Sequence, residues 1–340
     1  MMLALIVALW APVPPAVGLP APPPLDAAFR RGVGLGLFAH TSDAAYQASL
    51  YGQMLREIKD LGATDVQLAV RWVQATAADD TLGPVPGVTP EDAAFEATLD
   101  EARRLGLRVA VLPILHLQAR PPGVWRGTLK PRDPARWWAA YERFITHYAR
   151  LSAGRAELFA VGSELVSMER DAVRWRALIA RVRGLFPGQL TYSANWDHVE
   201  PIRFWGALDV IGVSVYWPLA RAPGASEDAM AATGLRFSRA LSSFARRQGK
   251  PFVLTELGFP AHAEGAVRPW DHGLRGRAAP AAQGLAWRAA YRAWHDAPGL
   301  AGLYAWNWFG VGGAGDVGYS PRQREAEGVL RWWFGGPPPP

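Results

Sequence analysis

The sequence contains no cysteine and very few lysines, and each scarcity narrows the functions that it can have. Without cysteine, the 340-residue chain can form neither a disulfide framework nor a thiolate metal site. Its only lysines are Lys59, Lys130 and Lys250, so arginine supplies most of the positive charge behind the formal net charge of +6. The basic residues are spread along the whole chain rather than gathered in a tail, which argues against nucleic-acid binding.

Long hydrophobic runs are also missing, because no stretch reaches the roughly 20 apolar residues that a membrane-spanning helix needs. A short apolar run covers residues 2–10, and the small-x-small pattern Ala16-Val17-Gly18 follows it. This pattern resembles a signal-peptidase site, although no basic residue precedes the run. Residues 1–25 are therefore predicted to be a signal peptide with a proline-rich spacer, and the protein to be exported to a periplasm or out of the cell. Residues 335–340 are predicted to be a Gly/Pro tail.

Residues 26–334 alternate short apolar runs with longer stretches of helical period, a pattern typical of repeated βα units around a parallel sheet. The runs predict eight strands, at residues 32–39, 65–70, 108–115, 157–162, 189–194, 209–215, 252–256 and 302–306. Helices are predicted at residues 44–61, 90–105, 134–151, 172–186, 228–248, 281–295 and 321–334. Eight units closing on themselves predict an α/β fold, a single (β/α)8 TIM barrel.

Glycines in the first strand look superficially like a dinucleotide-binding fingerprint. However, Gly32, Gly34 and Gly36 lie within the strand rather than in the turn after it, and Leu37 stands where the third glycine is needed. We interpret them as barrel positions at which neighbouring backbone or loops approach closely.

Two glutamates are predicted at the ends of barrel strands, where such barrels build their active sites. Glu164 follows strand four and Glu256 ends strand seven. Side chains on these strands lie nearly opposite each other and can approach to the separation of about 5 to 5.5 Å used by retaining glycosidases. One carboxyl would be the protonated acid and the other the ionised nucleophile, which requires environments that push their pKa values apart.

The other strand ends carry side chains suited to holding a sugar. Arg71 and Tyr216 are candidate donors that would keep the nucleophile ionised, and flat tryptophan rings can stack on sugar rings. Glu169 is interpreted instead as an exposed-loop or cap residue. The predicted substrate-binding residues are Arg71, Trp72, His116, Asn195, Trp196, Tyr216, Trp217, Trp306 and Trp308.

Metal and phosphate chemistry have weaker support. The seven histidines form neither an H-x-H pair on the first strand nor an H-E-x-x-H helix, so neither a metal nor an organic cofactor is expected. The glycine-rich residues 310–315 follow strand eight, where many barrels bind phosphate. Because no lysine is near and Asp316 follows, we interpret this stretch as a mobile rim loop.

Six segments resemble the clan A glycoside hydrolases, and among them most closely the β-mannanase-like barrels of glycoside hydrolase family 113. These segments are DVQLAVRWVQ, KPRDPARWWAAYERFITHYARL, AVGSEL, YSANWDHVEPIRFWGALDVIGVSVYWPL, KPFVLTELGFP and GYSPRQREAEGVLRWWF. The resemblance implies Glu164 as acid/base and Glu256 as nucleophile. It also places Arg71, Asn195, Tyr216 and Trp306 around the sugar in the bond-cleaving subsite. Ser163 stands where much of the clan has an asparagine that binds the sugar 2-hydroxyl.

The sequence thus predicts an exported, monomeric, retaining β-glycoside hydrolase that acts on a carbohydrate, with β-mannan as the favoured substrate. A carbohydrate-binding barrel that does not cleave its glycan is the alternative, since residues alone do not prove turnover. A third hypothesis is a barrel enzyme that binds a phosphorylated ligand at residues 310–315.

Overall fold

The computed structural model describes residue 19 and residues 27–335. The predicted signal segment, nearly all of the spacer and residues 336–340 of the tail lie outside these described residues. Over the part that is described, no helix is both long and apolar enough to cross a membrane.

Eight parallel strands close into a barrel in chain order, with β1 paired to both β2 and β8. The strands are β1 (Arg30–Gly36), β2 (Asp65–Gln74), β3 (Arg108–Leu117), β4 (Leu158–Ser163), β5 (Gln189–Asn195), β6 (Ile211–Val215), β7 (Phe252–Leu257) and β8 (Leu300–Ala305). The predicted TIM barrel is therefore confirmed, and all carboxyl ends of the strands meet at one mouth of the barrel.

Seven α-helices surround the barrel within the described residues. They are α1 (Ala44–Asp60), α2 (Asp92–Arg104), α3 (Pro134–Ser152), α4 (Ala172–Arg183), α5 (Glu227–Gln248), α6 (Pro280–Trp294) and α7 (Glu325–Trp333). A short 3₁₀ turn, Trp205–Ala207, stands in place of an α-helix between β5 and β6. Phe204 beside this turn stacks on Trp175 of α4 with ring centroids 5.0 Å apart, so aromatic side chains cover the barrel there.

The last helix begins later than the sequence predicts, at Glu325 rather than at residue 321. The reason is Arg324, whose buried guanidinium donates hydrogen bonds of 2.8 Å to the carbonyl oxygens of Gly313 and Ser320. These contacts hold the preceding residues in a loop instead of a first helical turn.

The glycines of β1 leave room for aromatic side chains from the β8 segment. A Cβ on Gly32 would lie 2.3 Å from the ring of Tyr304 and 2.6 Å from the carbonyl oxygen of Leu303. A Cβ on Gly34 would lie 3.1 Å from the ring of Trp306. The predicted close approach is confirmed, and it seats Trp306 against the inner wall at the mouth.

The opposite end of the barrel is closed by a buried charge cluster. Asp65, at the start of β2, is fully buried and accepts hydrogen bonds from Arg30 at 3.1 Å and from Arg108 at 2.6 Å. Buried carboxylates are stable only when they are paired in this way. This cluster belongs to the scaffold, since it lies at the amino ends of the strands, far from the mouth.

Candidate active site

Glu164 is positioned by an unusual backbone conformation directly after β4. Its φ angle is 54°, in the left-handed region that side chains other than glycine rarely adopt. Its N–H donates a 2.8 Å hydrogen bond to the carbonyl oxygen of Ser193 on β5, and the residue is only 6% exposed. Strained backbone of this kind concentrates at functional sites, and here it turns the carboxylate into the mouth.

Glu256 lies within β7 and shares this edge of the barrel with Glu164. Its register partner on β6 is Ser214, and the Ser214 hydroxyl donates a hydrogen bond to Oε1 of Glu164. One serine therefore neighbours both glutamates. Glu256 is 3% exposed, so the two carboxyl groups form a buried pair.

The surroundings of Glu256 favour its protonated form. Tyr216 donates a 2.7 Å hydrogen bond to Oε2, whereas Oε1 is buried and no hydrogen bond reaches it from the described residues. Burial raises the pKa of Glu256 to about 7, and the charge of Glu164 acts in the same direction. The charge of Arg126 and the Tyr216 hydrogen bond oppose this rise. A carboxyl with such a pKa can exchange its proton near neutral pH.

Glu164 has a half-buried cationic partner in Arg126. The Arg126 Nη2 atom lies 2.7 Å from Oε2 of Glu164. Arg126 comes from the loop between β3 and α3, in a turn where the N–H of Trp125 donates to Oγ1 of Thr128 and the N–H of Thr128 donates back to the Trp125 carbonyl. Burial works against the charged form of Arg126, but Glu164 and then Glu256 outweigh it and raise the pKa of Arg126.

Behind Glu164, three side chains anchor the backbone that follows it. The N–H of Leu165 donates a 2.8 Å hydrogen bond to the Tyr192 hydroxyl, which in turn donates a 2.7 Å bond to Glu169. The other oxygen of Glu169 lies 2.5 Å from Nδ1 of His198. Glu169 is 2% exposed, so it is not an exposed loop residue, although it does cap the short 3₁₀ turn Val166–Met168 as expected of a cap residue. Its carboxylate holds the tyrosine that fixes the turn after Glu164.

Several predicted site residues do meet at the mouth. Tyr216 contacts Glu256, as described above. Arg71 lies over the ring of Phe38, with its Cζ atom 4.6 Å from the ring centroid, and its Nε donates a 3.1 Å hydrogen bond to the Val88 carbonyl. Arg71 makes no hydrogen bond to Glu256. No direct contact therefore supports its expected role in keeping that carboxyl ionised. His116 is half-buried on the neighbouring strand, and Trp306 covers the inner wall beside Phe38.

Two other predicted residues lie at the rim rather than against the carboxyl pair. The Asn195 amide donates a 2.5 Å hydrogen bond to Asp197, which is exposed. The Trp196 ring stacks on Trp270, which is 46% exposed, with centroids 6.1 Å apart. This aromatic pair offers a flat surface beside the mouth.

Three of the predicted tryptophans face the helix layer. Trp72 stacks on Phe144 of α3 at 5.1 Å, because its side chain alternates outward from that of Arg71 along β2. Trp217 stacks on Phe237 of α5 at 4.4 Å, and Trp308 is 3% exposed, with its Nε1 donating a 2.8 Å hydrogen bond to Glu57. Their packing makes them part of the scaffold, although Trp217 also touches Trp196 edge-on.

Sequence reasoning missed three residues of this site. Arg126 carries no signal, since it lies in a loop well after the end of β3. Trp270 likewise lies in a long loop after β7. Ser214 could have been found, because it precedes Tyr216 by two residues and therefore points to the same face of β6.

A side-chain carboxylate already binds the backbone of the glycine-rich loop at residues 310–315. The Asp316 carboxylate accepts hydrogen bonds from the N–H groups of Gly312 at 2.8 Å and Gly318 at 2.7 Å. Arg322 also donates a 2.8 Å bond to the Gly310 carbonyl. These contacts occupy the groups that a phosphate would use.

Comparison with known proteins assigns the chain to a family. A sequence model of Glycoside Hydrolase Family 113 matches residues 37–311. The chain belongs to glycoside hydrolase family 113. It is therefore a glycoside hydrolase, and its substrate is a carbohydrate. No curated protein matches the chain.

Solved structures agree with this fold. The family 113 β-mannanase AaManA of Alicyclobacillus acidocaldarius is 25% identical, with a TM-score of 0.81 over 91% of this chain and 98% of that one. A second family 113 β-1,4-mannanase is 23% identical, with a TM-score of 0.81 over 91% and 99%. An endo-β-1,4-mannanase from Thermotoga petrophila, 14% identical, has a TM-score of 0.56 over 90% and 76%.

Proposed function

We propose that this family 113 enzyme is a retaining β-glycoside hydrolase in which Glu256 is the nucleophile and Glu164 the acid/base. The observation that carries the proposal is the buried glutamate pair, in which Ser214 bonds to Glu164 and is the register partner of Glu256, and in which Arg126 and Tyr216 each hold one carboxyl. Retaining enzymes need two carboxyl groups that approach one sugar from different sides. Glu164 from β4 and Glu256 from β7 come from separate strands of one mouth.

In the first step, the ionised Glu256 attacks the anomeric carbon while the protonated Glu164 gives its proton to the departing oxygen. A covalent glycosyl-enzyme results. In the second step, Glu164, now a carboxylate, takes a proton from water, which attacks the same carbon and releases Glu256. Tyr216 supports the first step, since its hydrogen bond favours the charged form of Glu256.

A β-linked mannan is the favoured substrate, because two solved structures of family 113 that resemble this chain are β-mannanases. Trp306 at the inner wall and the Trp196–Trp270 pair at the rim offer ring surfaces for successive sugars. We also propose that the protein is exported, because residues 2–18 have the pattern of a signal peptide. The closed barrel favours a monomer.

The test is hydrolysis by the purified wild type, Glu164→Gln and Glu256→Ala of a panel of β-linked polysaccharides and aryl β-glycosides, followed by reducing-sugar detection. We expect release by the wild type alone, and partial recovery of Glu256→Ala with azide, which can take the place of the missing nucleophile. Glu101→Gln is the matched control, because Glu101 is ion-paired to Arg104 on α2, in the outer helix layer.

An unchanged rate in Glu256→Ala would refute the assignment of the nucleophile. Glycan binding by all three proteins without any release would instead favour a binding barrel.

A further inference from the structure

Two loops from opposite sides of the barrel touch each other at the mouth. Strands β3 and β7 are four places apart in a closed ring of eight, so their carboxyl ends face each other across the mouth. Arg120 follows β3 and His272 follows β7, yet Nη1 of Arg120 lies 3.1 Å from Nε2 of His272. Because an arginine can only donate, His272 accepts at this nitrogen. We call this contact the cross-mouth bridge.

On the β3 side, the backbone is held in place up to the bridge. The N–H of Ala119 donates a 2.9 Å hydrogen bond to the carbonyl oxygen of Ala75, so the pairing of β2 with β3 continues past the ends of both strands. Pro121 and Pro122 come directly after Arg120, and their rings restrict the backbone there. Arg120 therefore projects from a firm support.

The loop after β7 is tied down on both sides before it reaches the bridge. This loop, residues 258–279, is called the β7 arm here. From the segment after β6, the N–H of Leu219 donates a 2.9 Å hydrogen bond to the Ala266 carbonyl. From the segment after β8, the Tyr319 hydroxyl donates a 2.6 Å bond to the Pro269 carbonyl. The arm is thus fixed to both of its neighbours.

From these anchors the β7 arm extends over the half of the mouth that contains β4, β5 and β6. Trp270 in the arm stacks on Trp196, which follows β5, with ring centroids 6.1 Å apart. His272 comes two residues later and meets Arg120 beyond β3. The arm therefore passes the end of β4, where Glu164 lies.

The chemistry of the reaction decides which part of a substrate meets this half of the mouth. The acid/base must lie within hydrogen-bond reach of the departing oxygen, whereas the nucleophile faces the anomeric carbon. Glu164 therefore marks the leaving-group side of the cleaved bond. The loop after β3 lies on this side too, because its Arg126 is 2.7 Å from Glu164. A chain that continues beyond the leaving sugar runs towards the β7 arm and the bridge.

The bridge is an obstacle that can yield. Arg120 and His272 are both exposed. A single hydrogen bond of this kind changes an equilibrium constant only a few-fold, because water replaces it when it breaks. A long leaving group can pass by displacing the bond, so it is disfavoured roughly fivefold rather than excluded.

We propose that Arg120 and His272 set the length preference on the leaving-group side, so that this enzyme releases short fragments from the reducing end of a β-glycan more readily than long ones. The inference deepens the proposed function and rests on it for the role of Glu164. Neither residue of the bridge contacts the glutamate pair, so both determine specificity and neither is catalytic.

The test reads the position of cleavage in β-1,4-linked hexaoses of mannose and of glucose whose reducing ends carry an oxygen isotope label. Mass spectrometry of the products gives the length of the leaving fragment. We expect the wild type to favour the shortest leaving fragments. Arg120→Ala and His272→Ala should each raise the ratio of long to short leaving fragments roughly fivefold. Arg181→Ala is the matched control and should keep the wild-type ratio, because Arg181 makes its 2.7 Å ion pair with Glu142 in the helix layer.

A ratio that neither bridge variant changes overturns the inference, and so does a wild type that favours long leaving fragments. Calorimetry in the Glu256→Gln background separates this result from the proposed function, because it needs no turnover. Removing the bridge should tighten binding of a hexaose roughly fivefold relative to a triose of the same sugar. Equal effects on both lengths overturn the inference. This binding pattern without hydrolysis by the wild type would refute the proposed function alone, and no binding of any hexaose would refute both.

Discussion

Replacing Glu256 with glutamine should make the folded protein more stable, and only above the pH at which an ordinary glutamate ionises. Burial and the neighbouring Glu164 raise the pKa of Glu256 from 4.5 to about 7. The folded state therefore binds this proton more tightly than the unfolded state does, and stability falls as pH rises from 4.5 to 7. A pKa difference of this size corresponds to about 3 kcal/mol at pH 8.

Glutamine has the shape of the protonated glutamate and can still accept the Tyr216 hydrogen bond. We therefore expect Glu256→Gln to match the wild type at pH 4 and to exceed its unfolding free energy by about 3 kcal/mol at pH 8. Urea unfolding followed by tryptophan fluorescence across this range measures the difference. Glu101→Gln is the control with the opposite sign, because hydrogen bonding to Arg104 lowers the pKa of Glu101.

A stability gain that is the same at pH 4 and pH 8 would refute the reasoning, since it would come from packing rather than from the charge. A loss at pH 8 would refute it more directly.

Three further substitutions separate the roles of the site and of the scaffold. Tyr216→Phe removes a hydrogen bond to a charged acceptor, which is worth about 1.5 to 3 kcal/mol. We therefore expect kcat/KM at pH 7 to fall roughly 10- to 100-fold and the acid limb of its pH profile to move to higher pH. An acid limb that does not move would contradict this role of Tyr216. Tyr192→Phe leaves the Leu165 N–H unbonded, and steady-state kinetics should show kcat reduced by roughly tenfold with little change in KM. Asp65→Asn removes the charge that pairs with the buried Arg30 and the half-buried Arg108, and chemical denaturation should show a loss of about 3 kcal/mol at unchanged KM.

The fold was readable from the sequence because each strand is a short apolar run and each helix has an amphipathic period. The eight strands and seven helices were predicted close to their observed positions. The errors lie where tertiary contacts decide. Residues 321–324 have helical character, but the Arg324 side chain bonds to loop carbonyls and delays α7. No local sequence pattern predicts such a contact.

The site was only partly readable. Strand-end position correctly brought Glu164, Glu256 and Tyr216 together at one mouth. The same rule also selected Trp72 and Trp308, because it ignores the alternation of side chains and the bends after strand ends. Loop residues follow no period, so the position of Arg126 depended on tertiary structure alone.

The resting charges of the two glutamates are the reverse of those that the first step needs. Before substrate binds, Arg126 pairs with Glu164, and the raised pKa of Glu256 makes that carboxyl the readier holder of a proton. Double displacement needs the opposite distribution, with the proton on Glu164 and the charge on Glu256. Binding of the substrate must therefore be accompanied by a shift of the proton from Glu256 to Glu164 before the first step.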